Sequence, residues 1–154
     1  VRMVLLKGLN SEGFVFYTNL NSSKSRDLKE NPKAAMCFHW KSFNRQIRIL
    51  GNVIQVNDKE ADLYFKSRPY ESKINAWASD QSKPMNERSE FLKKIEDFKK
   101  KYKNEKNVPR PPHWSGWCLK PSSIEFWLHR DNRIHERLQY NKTANGWKKE
   151  ILYP

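Results

Sequence analysis

Apolar runs of strand length, each ended by a turn signal, recur along most of this chain, and that spacing leaves little room for long helices. Val1-Arg2-Met3-Val4-Leu5-Leu6-Lys7 reads as a strand; the Asn10-Ser11-Glu12-Gly13 turn leads to Phe14-Val15-Phe16-Tyr17-Thr18, so the chain opens with a hairpin. Residues 34–40 and 45–56 are the next strands, the second interrupted at Gly51. Residues 117–119, 124–128, 134–140 and 147–152 complete the set, with Asn145-Gly146 turning between the last two. Helices are fewer. Ser22 or Ser23 caps one that reaches Glu30 and stops at Asn31-Pro32, Asp58 caps another through Ser67 before Pro69, and a shorter piece covers 72–79. The clearest spans 86–104, with Phe91, Ile95, Phe98 and Tyr102 as one apolar stripe, Glu87 and Glu90 in the first turn and lysines at the end. Residues 108–112 form an ordered linker. The pattern predicts a mainly β chain with helices, a β-barrel or sandwich with helical decoration.

With 154 residues there is enough chain for one domain, 1–154, with a real core. Lys and Arg outnumber Asp and Glu by 30 to 17, a net charge of +13, which calls for an anionic partner: nucleic acid, an acidic membrane or a phosphorylated small molecule. The Lys99-Lys100-Lys101 run reads as the solvated face of an amphipathic helix rather than a nucleic-acid patch. The two cysteines make no disulfide framework, Cys37 reads as core, and a reducing, cytoplasmic setting fits. No apolar run has the length of a membrane span. The chain opens without Met, directly in an apolar stretch, as a trimmed domain does whose leader carries any targeting signal.

Familiar chemical signatures are absent. The five glycines make neither a GxGxxG nor a Walker loop, no Ser stands in a GxSxG elbow, and His39, His113, His129 and His135 are too scattered for a zinc site. A different pattern stands out at Arg133-Ile134-His135-Glu136-Arg137. In an extended strand Arg133, His135 and Arg137 share one face and span about 13 Å, a row suited to something long and negative. Elsewhere phosphate-binding residue types gather at segment ends: Arg2 and Lys7, Tyr17-Thr18, Ser22-Ser23-Lys24 at a helix start, Tyr64 and Arg68 on one helix face, Ser72 opening the next helix, and Gln81-Ser82.

Together these segments resemble the pyridoxine (pyridoxamine) 5′-phosphate oxidases. The matching signatures are Arg2-Met3-Val4-Leu5-Leu6-Lys7, Phe16-Tyr17-Thr18-Asn19, Asn44-Arg45-Gln46-Ile47-Arg48, Tyr64-Phe65-x-Ser67-Arg68-Pro69-x-x-Ser72, Ala76-Trp77-x-Ser79-x-Gln81-Ser82, Glu125-Phe126-Trp127 and Arg133-Ile134-His135-Glu136-Arg137. The resemblance covers 1–154 and begins partway into the family's domain, its leading segment and first strands absent here. It implies an FMN-binding split β-barrel of Greek-key type, a homodimer with flavin at the subunit interface, and no nucleic-acid or membrane partner. The implied reaction oxidises pyridoxine or pyridoxamine 5′-phosphate to pyridoxal 5′-phosphate, with O2 as acceptor and H2O2 as product. Carried over by position, FMN contacts are Arg2, Met3, Val4, Leu5, Leu6, Lys7, Tyr17, Thr18, Lys24, Gln46, Gln81, Ser82, Trp127 and Arg137. Substrate phosphate falls to Lys7, Tyr64, Arg68 and Ser72, while Arg133 and His135 lie against the pyridine ring and reacting carbon as the catalytic pair. No metal is implied.

The chain also departs from the family pattern. Ser23 stands where Arg is common, Asn75 and Ser115 replace glycines, Leu128-His129 replaces Gln-Gly beside Trp127, and the end reads Leu152-Tyr153-Pro154 rather than Leu-Ala-Pro. The substrate-side residues are intact, so activity is expected, with weaker FMN binding. The alternative is a non-catalytic FMN- or pyridoxal-phosphate-binding relative of the same fold. A basic nucleic-acid binder has charge alone in its favour.

Overall fold

The computed structural model describes residues 1–104 and 108–154. Strands β1 (Gly8–Leu9) and β2 (Phe14–Asn19) make the opening hairpin, and α1 (Ser23–Glu30) leads to β3 (Lys33–Trp40) and β4 (Arg45–Gln55). Three helices follow, α2 (Asp58–Lys66), α3 (Tyr70–Ala78) and α4 (Arg88–Lys101), before β5 (Trp114–Leu128), β6 (Glu136–Thr143) and β7 (Gly146–Leu152). All pairings are antiparallel, giving one curled seven-stranded sheet in the order β1-β2-β5-β4-β3, with β6 on β5 and β7 on β6.

The long strand β5 organises the rest. One edge pairs with β4 along 117–128; the other pairs with β2 along 114–119 and then with β6 along 123–128. Two strands expected at 117–119 and 124–128 are therefore one. Pro121 does not break it, because the register shifts between Leu50 and Gly51 where Gly51 faces Pro121. A Cβ on Gly51 would lie 2.0 Å from the Lys120 carbonyl oxygen, so the bulge requires glycine. The break expected in β4 is this bulge.

Local chemistry sets the ends. Asn10 Oδ1 accepts from the Glu12 and Gly13 amides, an Asx turn closing the first hairpin. Ser22 caps α1 by accepting from Ser25 N–H. Asn57, not Asp58, caps α2. Ser72 lies inside the first turn of α3 rather than at its start. The sequence stripe on α4 holds: Ile95, Phe98 and Tyr102 pack on the cluster of Phe65, Ile74, Ala76, Val108 and Trp114, whereas Phe91 lines a cleft. Its lysines behave as a solvated face, Lys99 pairing with Glu71 at 3.3 Å and Lys100 with Asp97 at 3.9 Å. The sheet buries Phe16, Ile49, Val53, Trp117 and Leu119.

Three expectations are corrected. Cys37 is exposed: alternation along β3 sends Ala34, Met36 and Phe38 inward and Cys37 out. Residues 1–7 are not a strand, because the ladder stops at Lys7 N–H to Val15 C=O and the segment diverges to wall a cleft. The Arg133-His135-Arg137 row does not lie along one strand. Asp131–Arg133 is a 3-10 turn in which Asn132 (φ 54°) and Arg133 (φ 62°) are left-handed, so β6 begins at Glu136 and carries only Arg137 of the three.

Candidate active site

The residues singled out in the sequence converge on two surfaces. The first is a cleft of about 430 Å³ between the end of β2, helices α1 to α3 and the N-terminal segment. Met3, Val4, Leu5, Lys7, Tyr17, Thr18, Lys24, Tyr64, Arg68, Ser72 and Gln81 all line it. An aromatic stack forms its base: Tyr17 lies 4.0 Å from Tyr64 and 5.2 Å from Trp114, nearly parallel to both. Gly116 permits the stack, since a Cβ there would meet the Tyr17 ring at 2.8 Å. Arg68 lies just past the end of α2, its N–H bonded to Phe65 C=O, rather than on the helix itself. Its guanidinium packs 4.7 Å over Trp114 and 5.6 Å from Phe65.

The electrostatics of this cleft are unbalanced. Among the described residues Arg68 Nη1 is buried without a hydrogen-bond partner, and burial pushes the pKa of Arg68 down. Lys24 Nζ donates to Thr18 Oγ1 at 2.6 Å, and burial followed by the nearby charge of Arg2 lowers its pKa too. Among the described residues no carboxylate lines the cleft. Burial, with lesser help from Glu60 and Tyr64, raises Tyr17 to about 12, so its phenol stays protonated and able to donate. Gln81 Oε1 accepts from Thr18 Oγ1 at 3.1 Å and Asn19 N–H at 3.3 Å, and Asn19 Nδ2 donates to Ser79 C=O, tying β2 to the end of α3. Two half-buried cations lining this cleft suit an anionic guest.

The second surface, a trough of about 840 Å³, lies on the far half of the sheet. Gln46 on β4, Trp127 on β5 and Arg137 on β6 are register partners and form a row across three strands. His135 joins them, its ring 4.6 Å from Trp127. Apolar Trp40, Phe126 and Ile151 complete an exposed, largely hydrophobic wall. Arg137 is anchored by Glu125, with Nε to Oε1 at 2.8 Å and Nη2 to Oε2 at 3.1 Å, and Nη1 donates to Tyr153 C=O.

Four residues fall outside both surfaces. Arg2 turns toward Asp27 at 3.9 Å, and Leu6 lines neither. Ser82, left-handed at φ 71°, lines a neighbouring depression that shares Gln81 and Phe91 with the first cleft. Arg133 lies exposed in its turn. Asn19, Phe91 and Trp114 are cleft residues that the sequence does not single out as site residues. An aromatic two residues before a strand glycine was the available signal for Trp114.

Two stability effects follow from these environments. Glu125, buried and held by Arg137 with Arg48 at 3.6 Å, has its pKa lowered chiefly by the Arg137 hydrogen bond. A lowered carboxylate stabilises the fold fully above its unfolded value near ~4.3 and loses that contribution as pH falls toward the folded one. Urea unfolding should therefore show wild type losing more stability than Glu125→Gln from about pH 5 to about pH 3, with the variant about 2 kcal/mol weaker near neutrality. Ser115 Oγ is buried with no partner among the described residues. Removing it in Ser115→Ala should raise stability by about 1 kcal/mol in the same assay.

Comparison with known proteins gives a consistent result. Residues 1–102 match the sequence profile described as pyridoxamine 5′-phosphate oxidase, and 114–154 match the pyridoxine 5′-phosphate oxidase C-terminal dimerisation region. The pyridoxine/pyridoxamine 5′-phosphate oxidase of Pelagibacter ubique is 61% identical over 155 residues, covering 100% of this chain and 74% of its own. The protein of the same description from Sphingopyxis alaskensis is 51% identical, with 100% and 71% covered. In fold, PhzG from Burkholderia lata, solved with tetrahydrophenazine-1-carboxylic acid, superposes with a TM-score of 0.92 at 28% identity, covering 99% of this chain and 74% of PhzG.

Proposed function

This chain belongs to the pyridoxamine 5′-phosphate oxidase family, and from that footing we propose how its residues divide the work of the reaction. The activity is that of a flavin-dependent oxidoreductase converting pyridoxine or pyridoxamine 5′-phosphate to pyridoxal 5′-phosphate. The observation that carries the assignment of roles is the pair of half-buried cations, Arg68 with an orphaned Nη1 and Lys24, in a cleft that no carboxylate lines among the described residues. Arg68, Tyr64, Ser72 and Lys7 bind the substrate phosphate, which satisfies the orphaned donor. Lys24, Thr18, Gln81 and the segment Met3 to Leu5 with Lys7 hold FMN from the same cleft, with Tyr17 donating a hydrogen bond and Ser82 closing the adjoining depression. The donor set fits FMN, whose phosphate needs cations and whose ring needs amide and hydroxyl partners.

Gln46, Trp127 and Arg137 would meet the same cofactor, yet they lie on the other surface. One site using both surfaces requires two copies of the chain, which agrees with the family's dimerisation region over 114–154. The exposed apolar wall of Trp40, Phe126 and Ile151 then becomes interface. When bound, FMN supplies the hydride acceptor for the substrate's C4′ carbon, with O2 as final acceptor and H2O2 as product. The protein orients that carbon, excludes water and places Arg133 and His135 at the reacting end. For Arg133 this requires its exposed turn to be covered by the second copy. We read 1–154 as a single FMN-binding split-barrel domain acting in the cytoplasm, without nucleic acid or membrane.

The test is purification with FMN, a flavin absorbance spectrum, then addition of pyridoxine 5′-phosphate with pyridoxal phosphate and peroxide followed together. Equal release of both supports the reading, whereas bound flavin without product returns the chain to the non-catalytic alternative.

A further inference from the structure

Residues 129–135, between β5 and β6, form a loop held at both ends. His129 N–H donates to Asn44 C=O at 3.0 Å, pinning the start to the turn between β3 and β4. The two left-handed residues Asn132 and Arg133 then reverse the chain, and Arg130 Nε pairs with Glu136 Oε1 at 2.7 Å across the reversal. This folds His135 back onto the loop's own backbone, where Arg130 N–H donates to His135 Nδ1 at 3.2 Å. A ring nitrogen that accepts from an amide carries no proton, so a neutral imidazole so placed has its hydrogen on Nε2. The ring is flanked by Trp127 at 4.6 Å and by His129 at 5.1 Å.

We infer that this loop fixes His135 as the Nε2–H tautomer, so that it serves the substrate as a hydrogen-bond donor to oxygen and not as a base, with His129 as the positioning residue that holds its ring. The inference rests on the placement of His135 at the reacting end proposed above. Its chemical sense is direct. With Nδ1 engaged by the backbone, the imidazole offers one outward group, a donor, which can hold a substrate oxygen through a lone pair and so orient the C4′–H bond, while the proton released as hydride leaves goes to solvent. His129 stands where the family commonly has glycine, a residue that would leave the His135 ring without this contact.

Two measurements on the FMN-loaded enzyme decide it. Long-range 1H–15N correlation of histidine-labelled protein should show His135 with a protonated Nε2 and a bare Nδ1, and His129→Ala should convert this to a mixed-tautomer pattern. The same variant should lower kcat about two- to tenfold, the worth of one aromatic contact, with KM little changed because the phosphate is held in the other cleft. The second measurement uses amides of two lengths. The amide nitrogen of Gln reaches the position of Nε2 and that of Asn the position of Nδ1, so His135→Gln should turn over about three- to tenfold faster than His135→Asn. An Nδ1–H tautomer, or Asn equalling or exceeding Gln, overturns the inference. Full activity of His135→Ala instead overturns the placement on which it rests, whichever tautomer the spectrum shows.

Discussion

Replacing Arg68 by Met should lower kcat/KM for pyridoxine 5′-phosphate about thirty- to a thousandfold while leaving the flavin bound. Met keeps an unbranched apolar stem against Trp114 and Phe65, so packing survives and only the charge is lost. Loss of one partner of a buried, hydrogen-bonded charge pair costs about 2–4 kcal/mol, which sets the range. The same substitution should have the opposite sign on the ligand-free fold. Arg68 Nη1 is buried with no acceptor among the described residues, and an apolar replacement relieves that penalty, so the melting temperature of Arg68→Met without substrate should equal or exceed wild type. Steady-state kinetics and thermal unfolding of one sample check both halves. A variant that loses stability and activity together would show Arg68 to be a packing residue.

The second large effect is a recovery. Arg68→Met damages the cationic cleft, and Trp127→Ala damages the row on the opposite surface. If each site draws one surface from each of two copies, a mixed dimer of the two variants contains one wholly intact site and one doubly damaged site. Co-refolded in equal amounts, two nearly inactive proteins should regain about a quarter of wild-type activity, since half the dimers are mixed and each has one working site. Activity per chain across mixing ratios checks this and should peak at equal amounts. No recovery, with mixed dimers demonstrated by mass, would confine the site to a single chain.

Much of this arrangement was readable along the chain because its causes are local. Ser22 before α1, the Asx turn at Asn10 and the stripe on α4 depend on residues within a turn or two of one another, and each forms where its pattern lies. Where the pattern misled, a distant partner intervened. Pro121 looks like a strand break until Gly51 lies opposite it in a bulge. Val1 to Lys7 has a strand's composition, yet composition cannot say that the segment parts from β2 at Lys7. Cys37 sits among apolar neighbours, but the side of β3 that faces the core is set by pairing with β4.

The site divides the same way. The chemistry was present in the order of residues: cations at Lys7, Lys24 and Arg68, aromatic platforms at Tyr17 and Tyr64, and the Trp127 to Arg137 pairing. Side-chain types and their spacing therefore carry the resemblance that points to the family, and the need to hold two phosphates accounts for the cations among them. Placement was another matter. The apparent row of Arg133, His135 and Arg137 required an extended backbone, and two left-handed residues broke it, sending Arg133 to an exposed turn and His135 against Trp127. Likewise nothing local separates Lys24 from Gln46, yet the sheet carries them to different surfaces. Strand periodicity fixes which neighbours a residue faces only while the strand lasts. Turns, bulges and long-range register set where it ends, and those are properties of the assembled sheet.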